Sequence, residues 1–222
     1  PLEITLRHPK ALARNGARPS HAPEWIDAVD NPYLQGLFAP TTSEVSVDAL
    51  EVEGELPLDL AGAYLRNGPN AQFPPLGRYH WFDGDGMVHG IWFEDGSARY
   101  ANRAIGTAGR ALEGAQGSSI WPGVLSPFDL SLPLGPLKDT ANTDLLAHGG
   151  KLLALWYESG QPYRLDPRTL ETLGVEDFGG QLQIPLSAHA KSDPATGELI
   201  FFSYGDRPPY MRYGVIRPDG TV

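Results

Sequence analysis

From residue 45 onward the chain is a succession of short stretches in which apolar and polar side chains alternate, each stopped by Gly, Asp, Asn or Pro. Val45, Val47, Leu50 and Val52 carry the alternation first. Gly62–Arg66 follows and ends at Asn67-Gly68-Pro69-Asn70, read as a turn. Tyr79–Phe82, Asp83-Gly84-Asp85-Gly86 and Met87–Phe93 read as strand, tight turn, strand, and Glu94-Asp95-Gly96-Ser97 turns the chain into Ala98–Ala104. Residues 141–147, 151–157, 161–165, 185–190, 198–204 and 210–217 repeat the rhythm. A period of two puts alternate side chains on opposite faces, and such a stretch buries its apolar face only by pairing into a sheet. The fold class is therefore all-β: a barrel, a sandwich or a propeller. No strict internal repeat marks out blades. Residues 1–44 read as an extended lead-in, with one short helical turn between Asn31 and Phe38.

Composition narrows the chemistry. The 26 glycines and 21 prolines occur beside 41% hydrophobic residues, so they signal turns between strands, not disorder. A net charge of −10 provides no basic stripe for nucleic acid. With no cysteine, disulfides, zinc–thiolate sites and iron–sulfur clusters are excluded, and a metal would need His, carboxylate or carbonyl ligands. No apolar run suits a spanning helix or a signal peptide, so the expected location is cytoplasmic. One stretch departs from the alternation. Ser118–Leu137 is apolar, proline-rich and uncharged except for Asp129. It reads either as a long loop packed on the core or as a surface patch, carrying Trp121, Val124, Leu125, Phe128 and Leu130, that contacts a membrane or guards a lipophilic entrance.

Local motifs do not disclose a reaction. The six histidines (His8, His21, His80, His89, His148 and His189) form no HExxH pair or local zinc spacing. No GxSxG elbow occurs. Gly84-Asp85-Gly86 is not followed by a helix that would make it a phosphate loop, and Asp83 with Asp85 fits a β-turn better than a calcium loop.

A set of longer blocks carries more. Leu65-Arg66-Asn67-Gly68-Pro69-Asn70, Tyr79-His80-Trp81-Phe82-Asp83-Gly84-Asp85-Gly86-Met87-Val88-His89-Gly90, Tyr100-Ala101-Asn102-Arg103, Thr140-Ala141-Asn142-Thr143 and Ser187-Ala188-His189-Ala190-Lys191-Ser192-Asp193-Pro194 stand in the order found in the carotenoid cleavage oxygenases. The chain resembles the N-terminal half of that family. The resemblance implies a single seven-bladed β-propeller, of which residues 45–222 are the first part. It implies Fe(II) held by four histidines, with O₂ as co-substrate, and cleavage of a conjugated C=C bond into two carbonyl products.

Residue by residue, the resemblance makes His189 the first iron ligand and leaves the other three beyond Val222, so the piece alone would be inactive. Glu158 matches a carboxylate that hydrogen-bonds a ligating imidazole, here one of the missing three. Thr143 matches a position beside the open site of the iron, with the spacing to Glu158 one residue longer than usual. His80, His89 and His148 fall outside the ligand positions. Stilbene-cleaving relatives place a Lys before the Glu and a Tyr in the preceding loop. Here the first position is Tyr157, and residues 118–137 hold no Tyr. The expected partner is thus a lipophilic carotenoid or apocarotenoid, with peripheral membrane contact. The alternatives are a stilbene or aryl-alkene substrate, and a non-catalytic propeller that binds lipid or protein.

Overall fold

The computed structural model describes residues 5–7, 31–205 and 207–222. Of the six histidines, His8 and His21 lie outside them. Thirteen strands and one α-helix occur among the described residues. Strands β2 (Ser46–Val47), β4 (Gly62–Asn70), β5 (Asp85–Glu94) and β6 (Ser97–Ala104) form a sheet of order β2-β6-β5-β4. Strands β7 (Asp144–His148), β8 (Lys151–Leu155), β9 (Tyr163–Leu165) and β10 (Thr172–Val175) form an antiparallel meander. Strands β11 (Lys191–Ser192), β12 (Leu199–Tyr204) and β13 (Met211–Ile216) form a third sheet, and β1 (Thr5–Arg7) pairs with β3 (Glu51–Glu53).

The sheets are joined by two apolar cores. Val88, Ala101 and Ile105 pack against Leu152, Ala154 and Leu165, which cements the first sheet to the second. Leu153 and Leu155, on the other face of β8, pack with Leu186, Leu199, Phe201 and Ile216 and cement the second to the third. Strand β8 is buried on both faces, which explains its continuous apolar run Leu152–Leu155. Gly86 lets the first sheet approach the second: a Cβ there would stand 2.6 Å from the Ile105 Cδ1 and 2.8 Å from the Ala141 carbonyl oxygen.

Several details differ from the sequence reading. Asn67-Gly68-Pro69-Asn70 is not a turn but the end of β4, in register with Asp85–Val88. Here Asn67 donates from Nδ2 to the Ala141 carbonyl at 2.7 Å, tying two sheets together, and Pro69 is tolerated because β4 lies at the sheet edge. Tyr79–Phe82 is not a strand. Trp81–Asp83 forms a 3₁₀ turn closed by a reciprocal cap: the Phe82 N–H donates to His80 Nδ1 (3.1 Å), and the His80 N–H donates to Asp83 Oδ2 (2.8 Å).

Helix α1 (Ala108–Gln116) has no counterpart in the alternation-based reading. It is capped by Thr107, whose Oγ1 accepts from the Arg110 N–H, and it ends at Gly117. Residues 185–190 pair only through single bridges, Trp156 with Ser187 and Gly160 with Leu186. At the N-terminal side, the expected short helical turn is present as two 3₁₀ turns, Pro32–Leu34 and Gly36–Phe38.

Candidate active site

The site is built where strand ends of the second and third sheets meet. Strand β7 begins just after Thr143, and β8 runs on past Leu155 into Trp156, Tyr157 and Glu158. Two hydrogen bonds hold Thr143 to this segment: the Thr143 N–H donates to the Leu155 carbonyl (3.0 Å), and the Tyr157 N–H donates to Thr143 Oγ1 (3.1 Å). On the other side, the Ala188 N–H donates to the Trp156 carbonyl (3.0 Å), and Ser187 Oγ donates to the Tyr157 carbonyl (3.3 Å). Segment 156–158 therefore lies between Thr143 and His189. Residues that are 46 positions apart in the chain thus share one end of the sheets.

Each of the three side chains is accessible. Thr143 and His189 are exposed, and Glu158 is half-buried. The His189 ring stacks on Phe202 at 6.0 Å with 9° between planes. Phe202 touches Tyr204, whose hydroxyl donates to the Tyr157 carbonyl. Tyr157 meets Phe82 at 4.8 Å, and Phe82 meets His80 edge-on at 4.6 Å. Two aromatic runs, His189–Phe202–Tyr204 and Tyr157–Phe82–His80, thus form a row along the site, joined by the Tyr204 hydroxyl on the Tyr157 carbonyl. Burial pushes the Tyr157 phenol up to about 12, reinforced by the negative charges of Glu158 and Asp83, so it remains a neutral hydroxyl at neutral pH.

A single imidazole is not a metal centre. Among the described residues no three His, Cys, Asp or Glu side chains cluster as ligands. Yet His189 is suited to be one ligand, being exposed, ring-stacked and without a hydrogen bond among the described residues. The other described histidines are occupied. His80 caps the 3₁₀ turn, His89 Nδ1 lies 2.8 Å from the Tyr100 hydroxyl, and His148 Nε2 lies 3.0 Å from the Arg217 carbonyl oxygen.

The apolar loop divides into two parts. Trp121 is buried and donates from Nε1 to the Gly135 carbonyl (3.0 Å), so it anchors the loop from inside and does not belong to its outer face. Val124, half-buried and held by its N–H to Asp83 Oδ1 (2.8 Å), lines a narrow recess together with Phe82, Thr140 and Trp156. Leu125, Phe128, Leu130 and Leu134 project outward, Leu130 with 82% of its surface exposed. Beneath the loop, Lys138 Nζ bridges two buried carboxylates, Asp85 (2.9 Å) and Glu113 (2.5 Å), which locks helix α1 to the start of β5. Asp85, assigned to a turn in the sequence reading, is thus a buried ion-pair member. Burial raises its pKa, and Lys138 opposes the shift.

The sequence reading missed Asp139. Burial pushes this carboxyl up to about 6, although it accepts N–H bonds from Ala141 (Oδ1, 3.1 Å) and Gln161 (Oδ2, 3.2 Å). It also missed the aromatic groups around Tyr157, since Phe82 and Tyr204 are remote in sequence and each reaches Tyr157 only through the fold. No helix among the described residues is long and apolar enough to cross a membrane.

The chain is similar to known proteins. The family model described as Retinal pigment epithelial membrane protein matches residues 38–222. A carotenoid 9,10(9',10')-cleavage dioxygenase from Phaseolus vulgaris is 39% identical over 213 residues, which covers 86% of this chain and 38% of that protein. The crystal structure of a lignostilbene dioxygenase from Pseudomonas brassicacearum superposes with a TM-score of 0.78 at 38% identity, covering 86% of this chain and 41% of that one. A cobalt-substituted apocarotenoid oxygenase from Synechocystis superposes with a TM-score of 0.64 at 33% identity, covering 82% and 41%. The chain spans about two fifths of the length of the relatives it matches. With residues 38–222 of its 222 inside the family model, the chain belongs to the retinal pigment epithelial membrane protein family, that of the carotenoid cleavage oxygenases.

Proposed function

We propose that the chain is the first part of a seven-bladed propeller whose complete form is an Fe(II)-dependent dioxygenase cleaving a conjugated C=C bond of a carotenoid or apocarotenoid. The observation that carries this is the assembly of Thr143, Glu158 and His189 at adjacent strand ends beside an aromatic row. Three sheets packed in succession through two cores support the propeller. The similarity to a cobalt-substituted oxygenase supports a metal at the site.

In this reading His189 supplies one neutral imidazole ligand. The Glu158 carboxylate accepts the free N–H of another ligating imidazole, which sets its tautomer and orientation. Fe(II), when bound, supplies the activation of O₂. The chain's own residues do the rest. Phe82, Tyr157, Phe202 and Tyr204 offer flat faces to a planar polyene, and Thr143 narrows the approach beside His189. Burying the polyene is favoured by ~25 cal/mol per Å² of apolar surface. Leu125, Phe128 and Leu130 form the outward apolar face through which the enzyme contacts the membrane holding such a substrate.

Similarity to a lignostilbene dioxygenase supports a second reading, an aryl-alkene substrate. Oxygen uptake and product masses from the full-length protein, with an apocarotenoid and a stilbene offered separately, decide between the two. Metal analysis tests their common basis: about one iron per full-length protein, lost in folded His189→Ala. Absence of iron after anaerobic Fe(II) loading would overturn both.

A further inference from the structure

Three segments carry the site: one carboxylate ties two of them, and the backbone beside it pairs with the third. Asp139 Oδ1 accepts the N–H of Ala141, two residues before Thr143. Asp139 Oδ2 accepts the N–H of Gln161, three residues after Glu158. Gly160, next to Gln161, pairs in both directions with Leu186, three residues before His189: the Leu186 N–H donates to the Gly160 carbonyl (2.9 Å), and the Gly160 N–H donates to the Leu186 carbonyl (3.3 Å).

The local backbone is adapted to this contact. A Cβ on Gly160 would collide with Asp139 Oδ2, so only glycine lets the carboxylate reach Gln161. Ala141 is held at φ +47, a conformation that an alanine adopts only when its surroundings impose it. The Ala141 carbonyl in turn accepts from Asn67 of β4.

We propose that Asp139 is a positioning residue of the reaction, locking the segments of Thr143, Glu158 and His189 into one register. The inference rests on the iron-dioxygenase reading above. Its chemistry is that of a charged acceptor shared by two N–H donors. A small displacement of the segments would misplace every group around the metal together. The anionic form makes the clamp, and its folded pKa of about 6 means that protonation weakens the clamp in mildly acidic solution. The titratable group facing Asp139 from β9 is the Tyr163 phenol, and the neighbouring Lys138 is engaged with Asp85 and Glu113.

The test uses the full-length protein, wild type against Asp139→Asn, which keeps the shape but presents one N–H donor to another. The expected result is a kcat lower by ~10- to 100-fold with KM and iron content unchanged. An altered EPR spectrum of the Fe(II)–nitric oxide adduct should accompany it. Wild-type activity should also fall as pH drops through about 6 while thermal stability does not, a divergence absent from the variant. If Asp139→Asn fails to fold, Gly160→Ala, which displaces the same carboxylate, is read instead. Unchanged kcat and EPR spectrum in a folded variant overturn the proposal, as does loss of folding in both variants, which makes the role structural. A wild type without iron or oxygen uptake overturns the parent reading instead.

Discussion

The buried charges set the most stringent demands on single residues. Lys138 sits between Asp85 and Glu113 with only 8% of its side chain exposed, and removing it would leave two carboxylates uncompensated in a desolvated place. Lys138→Met is expected to destabilise by about 3–5 kcal/mol, measured by denaturant unfolding. For Asp139 the sign of the pH effect runs the other way from an ordinary ion-paired carboxylate. Its folded pKa of about 6 lies above the reference value of 3.8, so the folded state binds the proton more tightly between those values. Its unfavourable contribution is fully present above about pH 6 and is relieved as pH falls toward 3.8. Wild-type stability relative to Asp139→Asn should therefore rise on acidification, read as the difference in Tm across pH 7 to 4. On the iron-dioxygenase reading proposed above, Glu158→Gln is expected to weaken iron binding by ~10- to 100-fold, measured by chelator competition on the full-length protein.

At the level of elements, strand identity was legible wherever alternation was clean. The pairs β5–β6 and β12–β13 lie within the stretches read from the sequence, and β12 buries alternate residues, Leu199, Phe201 and Ser203, as the period of two requires of a half-buried strand. Helix α1 was not legible. Its sequence, Ala108–Gln116, holds three alanines and two glycines and buries only Gly109 and Glu113, so it carries no apolar stripe. What stabilises it is the Thr107 cap and the contact of Glu113 with Lys138 and the Ile120 N–H. Thr107→Ala should cost about 1 kcal/mol, seen as a lowered unfolding midpoint. Asn67-Gly68-Pro69-Asn70 was misread for a related reason: turn-forming residues lie inside a strand when their side chains serve a neighbouring sheet. The apolar loop was legible as an anomaly, but its inner and outer faces were not, since Trp121 and Leu130 have equal claim to either by composition. With Trp121 as the anchor, Phe128→Asp with Leu130→Asp is the informative pair. Folding should persist, and the full-length protein's association with liposomes should fall severalfold in a flotation assay, as two charges replace two exposed apolar side chains that a membrane would bury.

For the molecule as a whole, the all-β class follows from the sequence alone, because period-two stretches punctuated by turns have no other way to bury their apolar faces. The ordered blocks around Asn67, Asp83, Asn142 and His189 were also sufficient to indicate the family to which the chain belongs. Which residues touch was decided by tertiary structure. The segments that carry Thr143, Glu158 and His189 are joined by hydrogen bonds between strand ends, and Asp139 reaches Gln161 only because Gly160 has no side chain to obstruct it. The physical reason is range. Alternation and turn chemistry act between near neighbours, so they are written into consecutive residues. A site assembled from three segments depends on how sheets stack, which depends on cores such as that of Leu153, Phe201 and Ile216, whose members meet only after folding.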